Sequence, residues 1–378
     1  MDAASRSSYT PGIIFPVHAR GATLLPYWLL FSIFAAGSIE YRRRSLTAAG
    51  GPTPLLIVAG LFTALMVGLR YEVGGDWFNY EDIYLNVSYK RFSEALIDSD
   101  PAFSVLNWVS HWLGFDIWFV NLTCAALFVW GLVRFARRQS NPWLSILIAV
   151  PYLIIVVGMG YTRQAVAIGF ILAGLSVVDR ASLLRFSFYI IAAATFHKSA
   201  IVVLPIVGLA ATRQRIVIVP MLAATAALVY YLFVSASVDA LMQNYVEAEL
   251  SSQGAAIRVG MNLPPALVYL LLQRRFGLDD QQRKLWRNFS IASIGALVIL
   301  MFTDATTAVD RLSLYLIPLQ MFVLSRLPDV LGGNGRRNSQ VAVGIIGYSA
   351  LIQYVWLNFA AHSEYWLPYQ VYPIGGAV

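Results

Sequence analysis

The chain has 378 residues, of which 58% are hydrophobic and 12% charged, and its mean hydropathy is +0.64. Soluble proteins carry about 25% charged residues, so a soluble globular chain is excluded, as are disorder, a coiled coil and a disulfide scaffold. The formal charge of +7 would point to nucleic acid in a soluble protein; in a membrane protein the positive-inside rule accounts for it, and no nucleic-acid partner is expected.

The apolar blocks are long and continuous, as bilayer-crossing helices of about 17–25 residues require, and they lack the alternation of an outer-membrane barrel. In chain order the predicted spans are Ala22–Ile39, Thr53–Leu69, Ile117–Val133, Trp143–Val157, Thr162–Val178, Ser182–Thr195 and Ser199–Ala211. Ile216–Val234, Val259–Leu272, Phe289–Phe302, Leu312–Leu324 and Val341–Phe359 complete a set of twelve. The aromatic block Ala102–Leu113, with Phe103, Trp108 and Trp112, is shorter than a span and reads as an interfacial or re-entrant helix. The fold class is therefore an all-α polytopic integral membrane protein, organised as one membrane domain. Two of its loops, 70–116 and 235–258, are long and are expected on the external side. The stretch before Ala22 has no small-residue cleavage site, so it is not read as a signal peptide.

Placing Arg42–Arg44 in the cytoplasm puts eighteen of the 27 basic residues inside. Both termini are then expected outside. The nine exceptions include Arg70, Arg163, Lys198, Arg258 and Arg311, each at the outer edge of a span. Charges at the membrane edge are costly and by default functional, and arginine suits bidentate contact with phosphate oxygens. Convergence of these cations would make an anion site facing outward. The simpler alternative is that each one snorkels to lipid head groups.

The densest local motif is Gly68-Leu69-Arg70-Tyr71-Glu72-Val73-Gly74-Gly75-Asp76-Trp77-Phe78-Asn79-Tyr80. Carboxylates beside aromatic rings suit a sugar, with ring faces stacking and acids bonding hydroxyls; an interfacial aromatic belt is the alternative. Tyr161-Thr162-Arg163-Gln164 opens one span, and Phe196-His197-Lys198-Ser199 joins two others. His197 could serve as a base or as a phosphate donor, or be an interface histidine satisfied by backbone. Arg311 and Tyr315 lie four apart, on one helical face, and Asp304 or Asp310 could pair with Arg311 and merely neutralise it. His18, His111, His197 and His362 lack metal-ligand spacing, and there is no Walker loop or Gly-x-Ser-x-Gly, so neither metal nor cofactor is expected. Cys124 is the single cysteine and cannot form an intramolecular disulfide.

The ordered set Arg70-x-x-x-Gly74-Gly75-Asp76-x-x-x-Tyr80, Arg163-Gln164, Phe196-His197-Lys198-Ser199 and Arg311-x-x-x-Tyr315, closing with Leu367-Pro368-Tyr369, resembles the EpsG-type branch of the Wzy family. These are bacterial O-antigen and exopolysaccharide polymerases. The resemblance implies a glycosyltransferase with GT-C-like architecture in the inner membrane and a site facing the periplasm. It would use undecaprenyl-pyrophosphate-linked oligosaccharide as donor and acceptor. A chain-length regulator protein is a candidate partner. In that reading Arg70, Arg163 and Arg311, with His197, hold the pyrophosphate, and Asp76 is the base, with Glu72 or His197 as its substitute; Arg258 lies in a stretch the resemblance does not cover and joins the set by its position at the edge of a span alone. Trp77, Tyr80, Lys198 and Tyr315 complete the substrate site. The competing classes are an O-antigen ligase, a transporter or flippase of lipid-linked sugar, and a membrane acyltransferase.

Overall fold

The computed structural model describes residues 17–41, 54–178, 183–211, 220, 254–332 and 337–374. The first part of the chain forms α1 (Val17–Glu40), α2 (Pro54–Gly68), three short helices α3 (Trp77–Ser88), α4 (Phe92–Leu96) and α5 (Pro101–Trp112), and then α6 (Ile117–Ala136). Next come α7 (Pro142–Gly158), α8 (Thr162–Leu175), α9 (Leu183–Phe196) and α10 (Val203–Ala211), the last preceded by a 3₁₀ turn over Lys198–Val202. The remaining helices are α11 (Ala255–Gly260), α12 (Leu263–Leu272), α13 (Asp280–Phe302), α14 (Thr306–Ser313), α15 (Ile317–Val330) and α16 (Ser339–Phe359).

Among the described residues, six helical stretches are long and apolar enough to cross a membrane, and five more are apolar but shorter. Eleven of the expected spans thus coincide with apolar helices, while Ile216–Val234 and most of 235–258 lie outside the described residues. Helix starts follow side-chain capping. Asn141 accepts from the Leu144 amide, Asp279 from that of Gln282 and Asn338 from that of Val341. The largest boundary difference is at the segment predicted as Phe289–Phe302, which begins at Asp280 because a capped, charged first turn extends the apolar run; the one predicted as Leu312–Leu324 lies within a longer helical stretch, Thr306–Val330.

Two helices form the centre. Every residue of α7 is buried, and every residue of α8 except Arg163 and Phe170. Helices that are apolar all round belong in the interior. Close approach of α6 and α8 depends on small residues, the usual device between membrane helices. A Cβ on Gly131 would lie 1.9 Å from the Gly169 carbonyl oxygen. In α7 the run Val150–Gly158 widens to a π-helix that includes Pro151, which lacks the amide donor of a regular α-turn. Widening leaves the Ile155 carbonyl oxygen to accept the Trp366 indole N–H at 2.8 Å.

That bond belongs to a strap made by the end of the chain. Tyr372 donates its amide to the Leu69 carbonyl, Tyr71 to that of Gln370 and Gly74 to that of Tyr365, around an antiparallel bridge between Arg70 and Val371. Tyr369 donates its hydroxyl to Met66 O at 2.7 Å, and Tyr27 donates its own to Trp366 O. The strap thereby ties α1, α2 and α7 to the loop after α2. Gly74 sits at φ 109, where a Cβ would meet Met159 O at 2.3 Å, so only glycine fits.

Gly74→Ala is expected to destabilise the detergent-purified protein by at least about 1–3 kcal/mol through strain. Gly75→Ala, whose Cβ would only touch Trp366 at 3.7 Å, should leave the thermal midpoint nearly unchanged. Trp366→Ala should cost about 3–5 kcal/mol by opening a cavity. Equal midpoints for the two glycine variants would contradict this packing.

Candidate active site

Arg163, His197, Arg311, Asp76 and Arg258 come together at one end of the bundle, delivered by α8, the turn after α9, α14, the N-terminus of α3 and α11. The cations do not stand as an array of bare charge. Each arginine faces a carboxylate from a different part of the chain.

Arg163 donates from Nη1 to Asp100 Oδ2 at 2.7 Å, and its guanidinium lies over the rings of Tyr80 and Phe103 at 5.8 and 5.9 Å. Asp100 is buried and precedes α5, yet it makes no cap bond to its own helix. Its carboxylate instead collects Arg163, the Lys198 backbone amide at 3.3 Å and the His197 ring, whose Nδ1 is 3.8 Å away. That Nδ1 is buried without a hydrogen-bond partner among the described residues. Burial alone would raise the Asp100 pKa; His197 and Arg163 outweigh it and hold the carboxyl below its ordinary value.

Arg258 grips Asp310 with Nε at 3.1 and 3.0 Å and Nη2 at 2.7 Å. The carboxylate that could have neutralised its neighbour Arg311 is thus taken by Arg258. On α14 the two adjacent side chains diverge, Asp310 toward α11 and Arg311 toward Asp76.

Arg311 is the least committed of the cations. Its side chain is 38% exposed and stacks on Tyr161, 3.6 Å from the ring centroid. Its guanidinium makes no hydrogen bond to any described residue, and its nearest carboxylate oxygen is Asp76 Oδ2 at 3.9 Å. The Arg311 backbone is fixed from α8 by Gln164, which donates to its carbonyl at 2.6 Å. A guanidinium oriented by stacking keeps its N–H edges available for an oxyanion. Asp76, 33% exposed, is held above its ordinary pKa because burial outweighs Arg311 and Arg163.

Other expected site residues stand behind this surface. Arg70 is 1% exposed. It donates to Val67 O at 2.7 Å, Val73 O at 3.1 Å, Thr162 Oγ1 at 2.7 Å and Asn121 Oδ1 at 3.3 Å, and these neutral acceptors occupy all three guanidinium nitrogens. Trp77 is buried against Arg70 and Tyr71, so its ring offers no face to a sugar. Tyr80 is buried beneath Arg163 against Phe103. Tyr315 is buried with its hydroxyl 2.9 Å from Ser199 Oγ, because the helix tightens to 3₁₀ at Leu314–Leu316 and turns that side chain inward. Glu72 is exposed at φ 50 beside Tyr71, and Lys198 is exposed at the start of its turn. Asp100 and Tyr161 carry roles that their sequence positions did not announce. An Asp before Pro101 reads as an ordinary helix cap, and only the fold sets it against residues almost a hundred positions away.

Residues 54–371 match the model of the EpsG family. The chain belongs to the EpsG family. The match begins with α2 and ends in the strap, so it contains every residue of the site, including Asp100 and the Arg258–Asp310 pair. No curated protein and no solved structure matches this EpsG-family chain.

The two acids are expected to respond oppositely to pH. Asp100, with its pKa depressed, stabilises the fold when ionised; that contribution is complete above the ordinary 3.8 and disappears as pH falls through the lower folded value. Asp76, with its pKa raised, is unfavourable to folding when ionised, and the penalty disappears as pH falls through its folded value to 3.8. Asp100→Asn should therefore lower, and Asp76→Asn raise, the thermal midpoint at pH 7. Both differences should shrink on acidification, read by thermal unfolding in detergent.

Proposed function

We propose that this EpsG-family protein is a polysaccharide polymerase of the inner membrane, working at the periplasmic face. It transfers a growing undecaprenyl-pyrophosphate-linked glycan onto the next lipid-linked repeat. The observation that carries the reading is the opposition of Asp76 and Arg311 across 3.9 Å, one from the start of α3 and the other from α14. A base and an anion-binding fork within reach of the same reacting atoms suit displacement of a phosphate leaving group from a sugar.

In this mechanism the donor pyrophosphate lies against Arg311, with Arg163 and the Lys198–His197 turn beside it. A hydroxyl of the acceptor repeat attacks the donor's anomeric carbon, and its proton passes to Asp76. The bond from that carbon to pyrophosphate breaks, and undecaprenyl pyrophosphate leaves with its charge balanced by the guanidinium groups. Preorganised charge of this kind is usually the largest catalytic term. The raised pKa of Asp76 suits a general base, since efficiency grows as base strength approaches that of the medium. Asp100 is a positioning residue in this reading; it sets Arg163 and the His197–Lys198 turn in register. Arg70, Trp77, Tyr80 and Tyr315 hold the frame, and Arg258, gripped by Asp310, supplies a fixed wall. The reaction needs no metal ion, which a chelator tests directly.

Purified protein with undecaprenyl-pyrophosphate repeat units and EDTA should produce a glycan ladder. Arg311→Ala and Arg163→Ala should abolish it while leaving the protein in the membrane. Asp76→Asn should slow it about 10²–10⁴-fold. Normal chain length in the arginine variants, or repeat units recovered unchanged from folded wild-type protein given its native repeat, would overturn the assignment in favour of a ligase or transporter.

A further inference from the structure

An apolar cleft of about 400 Å³ lies between α9 and α10, lined by Ile190, Ile191, Ala194, Ile201, Leu204 and Pro101. Its two hydroxyl-bearing lining residues do not ask for a polar ligand: Thr195 already donates to Ala192 O at 2.7 Å, and Ser187 is engaged elsewhere. The walls are the two arms joined by the His197–Lys198 turn. From Thr195 down to Ser187 the cleft follows eight residues of α9, about 12 Å at the helical rise. That is a little under half the ~30 Å hydrocarbon thickness. Ile191 is 61% exposed on the outside of the arm, as expected of a wall that borders lipid.

The upper end of the cleft is what distinguishes it from an ordinary lipid-facing furrow. Pro101 roofs it, and the preceding residue is Asp100, which gathers Arg163, the Lys198 amide and His197. The apolar channel therefore ends beside the Asp100 cluster, where Arg163 and the exposed Lys198 side chain supply positive charge. We propose that this cleft seats the phosphate-proximal isoprene units of a polyisoprenyl diphosphate, with the diphosphate at the Arg163–Lys198–His197 turn and the rest of the chain in the bilayer. The match is one of charge and polarity along a single line: an anionic head against Arg163 and Lys198, hydrocarbon against hydrocarbon. The inference rests on the lipid-linked donor reading, and it adds where the lipid lies and which two helices hold it.

The test uses the full-length protein in nanodiscs and a short polyisoprenyl diphosphate bearing a photoreactive group in its hydrocarbon and no sugar. After irradiation, labelled peptides are mapped by mass spectrometry. Labelling should fall within residues 183–211. An excess of unlabelled polyisoprenyl diphosphate should suppress it at least tenfold, and the same excess of phosphatidylglycerol should not. Ala194→Trp, which fills the cleft, should reduce labelling by a similar factor; Ile201→Trp gives the same check from the opposite wall should the first variant fold poorly. Labelling elsewhere, or equal competition by phosphatidylglycerol, would overturn the proposal and leave the cleft an ordinary lipid furrow. The probe undergoes no transfer, so the two readings fail separately. A glycan ladder without labelling at 183–211 removes the cleft assignment alone, and labelling without a ladder removes the polymerase alone.

Discussion

The buried guanidinium of Arg70 is the contact on which the site end of the molecule depends. Four acceptors from three places, the end of α2 with its following loop, Asn121 of α6 and Thr162 of α8, all point at one side chain. Away from water, each acceptor deprived of a donor loses roughly 1–3 kcal/mol, so the set holds together or fails together. Thr162 adjoins Arg163, and Val73 adjoins the glycine turn that delivers Asp76, so one clamp sets the spacing between two residues of the proposed chemistry. The strap from the chain end closes over the same loop by backbone pairing at Arg70 itself. A charge without a carboxylate partner has thus become the frame of the site, while the arginines with partners form its surface.

Pairing of the three remaining arginines with Asp100, Asp310 and Asp76 solves a physical problem. Several cations at the mouth of a low-dielectric bundle would repel one another and pay a large desolvation cost. A carboxylate opposite each one offsets that cost and fixes direction. The pairs are graded in tightness: two at 2.7 Å and one at 3.9 Å. The loosest is the pair whose arginine is already oriented by an aromatic ring, and that combination leaves Arg311 rigid but available. Its placement depends in turn on Gln164 and on the buried α8, whose neighbours on all sides leave little room to shift.

Much of the fold was legible in the sequence, because a bilayer-crossing helix is a local property: its length and its lack of charge are written in consecutive residues. The spans from Ala22 to Phe359 therefore coincide with helices wherever the chain is described, and Arg163, Arg258 and Arg311, singled out in sequence as departures from the charge rule, are brought to one end of the bundle. What could not be read were the partners. Asp310 stands next to Arg311 in sequence and yet bonds Arg258, because adjacent helical residues point about 100° apart. Arg70 and Tyr315 carry the right chemistry for a ligand but point into the protein, and nothing in their neighbours distinguishes inward from outward.

The sequence by itself determined that this is a helical membrane protein of the EpsG family, with arginines at the ends of several spans and an acid after a Gly-Gly turn. These follow from composition and from order along the chain. Tertiary structure alone decided that Asp100 organises Arg163 and His197, that Arg70 is a clamp, that Trp366 locks a widened helix, and that an apolar cleft opens between α9 and α10 next to Pro101. Each of those is a contact between residues far apart in the chain, with Asp100 and His197 97 positions from one another and Ile155 and Trp366 separated by 211. Long-range contacts are set by how the helices pack around α7 and α8, and no local pattern encodes that packing.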